Sequence, residues 1–188
     1  MVAVDRNLSG RVDIRPAAAH DVEAIAAVQV AAWRVGYRHI LPAQALAAMS
    51  PRRAQAWWRG VLDGGRSTLL VAEADREVLA FIRFGACRDP DAPRRRGEIH
   101  TLYALPRTWG RGLGHGLMQR ALAELLDAGC DEACVWALAA NTRGIRFYQR
   151  EGFAELEPCR RTREIGQTRV EEVRLLKRGL HGPPVTGV

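Results

Sequence analysis

Leu102-Tyr103-Ala104-Leu105-Pro106-Arg107-Thr108-Trp109-Gly110-Arg111-Gly112-Leu113-Gly114-His115-Gly116 is the stretch on which the reading of this chain turns. The residues from Ile99 to Leu105 predict a strand, closed by Pro106. Glycine then stands at every second position from 110 to 116, and Leu117, Ala121, Leu122, Leu125 and Leu126 recur at helical spacing. Glycines let backbone N–H groups converge on a ligand without Cβ obstruction. The unpaired amides and positive dipole of a helix start favour an anion. A pyrophosphate meets both conditions. The Walker pattern fails, because no Gly-Lys-Ser/Thr tripeptide exists, and the dinucleotide fingerprint fails, because Leu117 stands where its third glycine belongs. The plain alternative is a turn that only tightens a strand–helix junction, and four alternating glycines argue against it.

The rest of the chain is ordered around this loop. Upstream, Val12 and Ile14 alternate with Asp13 and Arg15 in a short strand ending at Pro16, and His20-Asp21 open an Ala-rich helix running towards Tyr37. Ser50-Pro51 is a helix start with a side-chain cap and a first-turn proline; Trp57, Val61 and Leu62 are its expected apolar face, and Gly64-Gly65 its end. Leu69 to Ala72 and Val78 to Ile82 read as two strands joined by a turn at Ala74-Asp75-Arg76, and the segment from Arg88 to Arg96 as a loop. Downstream, Gly129 ends the helix, Ala133 to Leu138 is a strand, and Asn141-Thr142 start a short helix terminated by Gly152. Phe153 to Glu157 and Val170 to Leu176 are expected as a last antiparallel pair. The order β-α-α-β-β-β-α-β-α-β-β implies an α/β fold, with a mixed sheet covered by helices on both faces. Residues 1–10 read as a lead, 11–178 as one domain and 179–188 as a disordered tail, with no internal repeat.

Composition excludes several classes. No stretch approaches the roughly 20 apolar residues of a spanning helix, and the first residues lack a basic start before a long apolar core. A cytoplasmic location is expected. Cys87, Cys130, Cys134 and Cys159 form no CxxC pair and read as free thiols; Cys130 and Cys134, with no His nearby, make a poor zinc half-site, and no metal is expected. Lys177 is the sole lysine, so the net charge of +7 rests on arginine. The run Arg94-Arg95-Arg96 reads as a solvated loop, not a binding patch. A nucleic-acid binder would rest on charge alone, without an RNP motif, zinc spacing or a basic helix interleaved with aromatics.

Two motifs carry a family resemblance. Arg111-Gly112-Leu113-Gly114-His115-Gly116 resembles the acetyl-CoA loop of the GNAT family of N-acetyltransferases, Gln/Arg-x-x-Gly-x-Gly/Ala, and Trp109 stands just before it. Leu102 to Pro106 is similar to that family's preceding strand, and Asn141-Thr142-Arg143-Gly144-Ile145-Arg146-Phe147-Tyr148-Gln149-Arg150-Glu151-Gly152-Phe153 to its second motif, NxxAxxFYxxxGF. Trp33 to Tyr37, Ile40-Leu41-Pro42 and the Trp57-Trp58 helix are similar to the opening of a bacterial branch of small acetyltransferases. The resemblance spans 11–178. It implies a mostly antiparallel twisted sheet splayed between two middle strands, and transfer of an acetyl group from acetyl-CoA to a primary amine.

Site residues follow from that resemblance. Glu98, eleven positions before Trp109, matches a general-base glutamate of histone-acetylating relatives; the alternative is an exposed carboxylate or one bridged to Arg96. His100 shares its face at period two and could relay or replace the base, or simply pack. The amide of Leu102 would polarise the acetyl carbonyl, and Tyr103 and Ala104 would flank the pantetheine arm. Trp109, Gly110, Arg111, Gly112, Gly114, His115 and Gly116 would form the pyrophosphate loop, with Asn141 nearby. Tyr148 would protonate the leaving thiolate, or else fill space beside Phe147. Trp33, Tyr37 and Arg38 would face the acceptor, a small-molecule or peptide amine. A homodimer is compatible with all of this, and a degenerate acyl-CoA-binding module is the second reading.

Overall fold

The computed structural model describes residues 11–156 and 159–180. The expectations for 1–10 and for the tail from 181 lie outside the described residues. The elements are β1 (Asp13–Pro16), α1 (Val22–Gly36), α2 (Ala43–Ala47), α3 (Pro51–Gly64), β2 (Thr68–Ala74), β3 (Glu77–Ala86), β4 (Arg96–Ala104), α4 (Leu113–Asp127), β5 (Glu132–Leu138), α5 (Thr142–Arg150), β6 (Arg160–Ile165) and β7 (Thr168–Arg178). They form a seven-stranded sheet in the order β1-β2-β3-β4-β5-β7-β6. Every neighbouring pair is antiparallel except β4 and β5.

Local chemistry explains the joints. Ala74 pairs with Glu77, leaving a two-residue hairpin loop in which Asp75 (φ 50°) and Arg76 (φ 64°) both take the left-handed conformation that matches strand twist. Ser50 Oγ accepts the Arg53 N–H at 3.4 Å to start α3, and Gly65 at φ 59° ends it. Alternate residues of the sheet feed opposite layers. Leu69, Val71 and Phe81 pack with Val22, Ile25 and Trp58 of α1 and α3, whereas Leu70, Ala72 and Ile82 pack with Leu117, Met118 and Ala121 of α4.

Four sequence expectations need correction. Trp57 is not on the buried face of α3: it is 49% exposed while Trp58 is fully buried. The stripe that meets the sheet runs Ala54, Trp58, Val61, Leu62, and the Trp58 indole N–H donates to Gln29 Oε1 at 2.8 Å. Burying Trp58 is favoured because its N–H meets an acceptor there, which a buried indole usually requires. β4 begins at Arg96, so Glu98 lies inside the strand. Arg96 is itself buried and pairs with Glu132 at 2.7 Å, so it is no part of a solvated loop. Finally, β7 pairs with β6, not with Phe153–Glu157; that segment contributes a lone bridge from Ala154 to Leu176, and Glu157 is outside the described residues. β6 carries almost no apolar residue, because it is an exposed edge held by cross-strand charges, Arg160 to Glu171 and Arg161 to Glu172.

The parallel pair at the centre matters most. β4 and β5 are in register only from Arg96↔Glu132 to Ile99↔Val135. Beyond that point β4 continues through Ala104 and β5 through Leu138 without pairing. The sheet therefore splits in its middle. Among the described residues, no helix is long and apolar enough to cross a membrane.

Candidate active site

The split opens into a cleft of about 640 Å³ bounded by residues of α1, β4, the Gly-rich loop, β5, α5 and the β6–β7 hairpin. One wall is backbone. The Leu105 N–H donates to Leu79 O of β3 at 2.8 Å. Antiparallel ladders use alternate residues, so Tyr103 also faces β3, while the main-chain groups of Leu102 and Ala104 face the split. The Ala104 carbonyl accepts the Trp109 indole N–H at 2.9 Å. Trp109 thus folds its ring back onto the strand it follows, and the Arg143 guanidinium stacks on that ring at 4.1 Å.

The loop delivers a helix start to the same cleft. Gly112 takes φ 83° as the N-cap of α4, a conformation that costs other residues about 1–2 kcal/mol. The first helical hydrogen bond is Gly116 N–H to Gly112 O at 2.9 Å, so the amides of Leu113, Gly114 and His115 have no helical partner. A Cβ on Gly114 would stand 3.3 Å from the Phe147 ring; glycine there lets α5 approach α4. At the start of α5, Asn141 Oδ1 accepts the Gly144 N–H at 3.0 Å. Tyr148 lines the cleft between Phe147 and Phe153, and burial pushes its phenol above the usual range.

The opposite wall is made of side chains. Trp33 of α1 and Tyr37, the residue that caps that helix, meet Tyr103 of β4, with the Tyr37 and Tyr103 ring centroids 4.9 Å and 6.3 Å from that of Trp33, and the Trp33 indole nitrogen is buried without a partner. Arg163 and Glu172 come from β6 and β7 and pair with each other at 3.2 Å. At the root of the split, the His100 side chain is 4% exposed. Burial, aided by the nearby Arg88 cation, pushes its pKa down to about 4, so the ring is neutral at neutral pH. Its Nε2 lies 3.3 Å from Ala86 O. In the tautomer where Nε2–H donates to that carbonyl, Nδ1 keeps its lone pair, and Nδ1 has no partner.

Glu98 sits behind His100, its Oε2 3.8 Å from His100 Nε2. Its carboxylate accepts the Arg88 backbone N–H at 2.9 Å and Nε at 3.0 Å, with Arg88 Nη2 on the other oxygen. Burial alone would raise its pKa, but Arg88 holds it below the usual carboxylate range.

A backbone edge and a helix start converging in a sheet split are one arrangement with a family behind it. The family described as the acetyltransferase (GNAT) family matches residues 30–153. The chain belongs to this family. An uncharacterized N-acetyltransferase of Archaeoglobus fulgidus is 32% identical over 98 residues, covering 52% of this chain and 67% of that relative. A mycothiol acetyltransferase of Propionibacterium freudenreichii is 28% identical, and the match spans 31% of its length and 55% of this chain. Among solved structures, the PaiA N-acetyltransferase of Thermoplasma acidophilum in complex with coenzyme A superposes with a TM-score of 0.70 at 18% identity, over 89% of this chain and 99% of that one. YncA of Salmonella typhimurium with its cofactor acetyl-CoA gives 0.64 at 21%, over 94% and 99%. The fold is the GNAT fold and the protein is an acetyltransferase.

Within this GNAT cleft, most residues singled out from sequence do meet. Trp33, Tyr37, His100, Leu102, Tyr103, Ala104, Trp109, Gly110, Gly112, Gly114, His115, Asn141 and Tyr148 all line it. Glu98, Arg111 and Gly116 do not: Glu98 is behind His100, and the Gly116 amide is spent inside α4. Arg38 lies on a shallow surface depression beside α2, its Nε against His39. The sequence reading passed over Arg143, Arg150, Trp136, Arg163 and Glu172, which also line the cleft. Arg143 and Arg150 could have been found, since they lie in the second motif. Arg163 and Glu172 had no signal, because only the unforeseen β6–β7 hairpin brings them there.

Proposed function

We propose that the protein transfers an acetyl group from acetyl-CoA to a primary amine by direct attack in a ternary complex. The observation that carries this reading is the pairing of two backbone features in one cleft: the unpaired β4 edge at Leu102 and Ala104, and the α4 start at Gly112 to His115. Acetyl-CoA, as co-substrate, supplies the thioester. The amides of Leu113, Gly114 and His115 would hold its pyrophosphate, with Arg143 adding positive charge. The Leu102 N–H would act as the single fixed donor to the acetyl oxygen.

Proton traffic falls to two side chains. His100 Nδ1 accepts the proton of the attacking amine, and Glu98 stabilises the imidazolium from behind. Glu98 does not itself reach the amine in this reading, because both its oxygens are held by Arg88. Tyr148 donates its phenolic proton to the departing thiolate; a buried phenol is a weak acid, but a thiolate formed in a dry site is a strong base. Trp33, Tyr37 and Tyr103 form the acceptor wall, suited to a small or peptidic amine with an apolar flank.

The test is a panel of primary amines with acetyl-CoA, followed by thiol release and product mass. Amine-dependent release of CoA is expected. Binding of acetyl-CoA without transfer to any amine would leave a binding module instead.

A further inference from the structure

Away from the substrate cleft, two thiols lie together at the root of the sheet split. Cys87 follows β3 and Cys134 lies in β5, 47 positions apart, yet their Sγ atoms are 3.4 Å from one another. They approach across β4: Cys134 is in register with Glu98, and the Cys87 N–H donates to Arg96 O at 3.2 Å. Cys134 is fully buried and Cys87 is half-buried. Arg88, the residue after Cys87, is the one that grips Glu98.

The geometry points to a redox modification site, a dithiol that a hydroperoxide closes into a Cys87–Cys134 disulfide, slowing acetyl transfer by shifting Arg88 and Glu98. The effect on transfer rests on the function proposed above; the disulfide itself does not.

The two sulfurs are unequal in the way this chemistry needs. A hydrogen bond from Cys134 lowers the Cys87 thiol pKa, while that hydrogen bond and burial push Cys134 up. Cys87, the more acidic and more accessible thiol, is the attacking group. Its thiolate attacks one peroxide oxygen, the O–O bond breaks, and the departing hydroxide takes up a proton as water. The resulting sulfenic acid is then attacked by the Cys134 sulfur. The S–O bond breaks, the S–S bond forms, and the Cys134 proton leaves with the hydroxyl as a second water. Two thiols lose two electrons and the peroxide gains them.

A metal site is the competing use of this cluster, since Asp89 offers a carboxylate oxygen within 4.8 Å of both sulfurs. That carboxylate already accepts the Trp136 indole N–H at 2.9 Å and Arg174 at 3.1 Å. A disulfide needs the two sulfurs alone. Because a covalent S–S bond is shorter than the contact seen here, closure draws Cys87 towards β5 and carries Arg88 with it.

The experiment treats the full chain with hydrogen peroxide and reads peptides by mass spectrometry without reduction. A cross-linked peptide joining Cys87 to Cys134 is expected, with free thiols falling from four to two and both changes reversed by dithiothreitol. Turnover should fall about 10-fold on oxidation, less than the 10²–10⁴ of losing a proton acceptor outright, and recover on reduction. Cys87→Ser and Cys134→Ala should each keep their turnover under peroxide. Oxidation confined to Cys130 or Cys159 would overturn the site, and a cross-link with unchanged turnover would overturn the switch. A reduced protein inactive on every amine would sink the transfer reading instead, while the mass measurement would still decide the dithiol.

Discussion

The two walls of the cleft are built on opposite principles. The wall proposed for the donor comes from one continuous run, 102–115, and would work through main-chain amides whose positions are set by a strand edge, a left-handed glycine and a helix start. The wall proposed for the acceptor and for proton transfer comes from α1 and the residue after it, β4, β5, α5 and the β6–β7 hairpin, and would work through side chains: Trp33, Tyr37, His100, Trp136, Tyr148, Arg163 and Glu172. Main-chain sites tolerate side-chain change and fail when the backbone is blocked. Side-chain sites do the reverse.

That contrast can be broken by mutation. The largest effect is expected from His100→Ala, with turnover down 10²–10⁴ and acetyl-CoA affinity unchanged, since a base acts in the transition state. Glu98→Gln should cost less than His100→Ala; a larger loss from Glu98→Gln in the same assay would return the proton-accepting role to the carboxylate. His100 also has a pH signature. Its pKa is about 4 in the folded protein against roughly 6.5 unfolded, so between those values the unfolded chain binds more protons. Stability should therefore fall as pH drops through that window, and His100→Gln should flatten the slope.

Tyr148→Phe comes next. Removing the hydroxyl while keeping the ring between Phe147 and Phe153 should lower turnover about 10²-fold, with the melting temperature nearly unchanged because volume is preserved. Equal rates in the two proteins would make Tyr148 a packing residue.

On the donor wall the expected currency is binding. Acetyl-CoA at 100-fold its dissociation constant should stabilise the native protein by about 2.7 kcal/mol. Gly112→Asp should erase that thermal shift, because a side chain at φ 83° would crowd the open amides and its carboxylate would repel phosphate. A full shift in this variant would remove the loop as the phosphate site.

The smallest effect sharpens the comparison most. Trp109→Phe deletes the indole N–H that caps Ala104 O, yet should weaken acetyl-CoA binding only by the roughly 0.5–1.5 kcal/mol of one net hydrogen bond. A calorimetric loss far beyond that range would mean that the donor wall depends on side chains after all.

By itself the sequence determined the order of elements from β2 through α5, though it missed the short α2 and misplaced β6, together with the Gly-rich turn between β4 and α4, the caps at Ser50 and Asn141, and the family. Each of these is written in neighbouring residues, because turns, caps and helix starts depend on contacts within a few positions. Only the tertiary structure decided which tryptophan of the Trp57-Trp58 pair is buried, since both are apolar and the choice rests on Gln29 in another helix. It alone showed that Arg88 takes the Glu98 carboxylate, that His100 Nδ1 is buried without a partner, and that β6 pairs with β7 despite lacking an apolar pattern. It also brought Cys87 against Cys134 across β4. Trp58 meets Gln29 across 29 positions and Cys87 meets Cys134 across 47, and even the nearer Arg88–Glu98 contact is fixed by strand register; no local pattern encodes which partner a buried polar group will find.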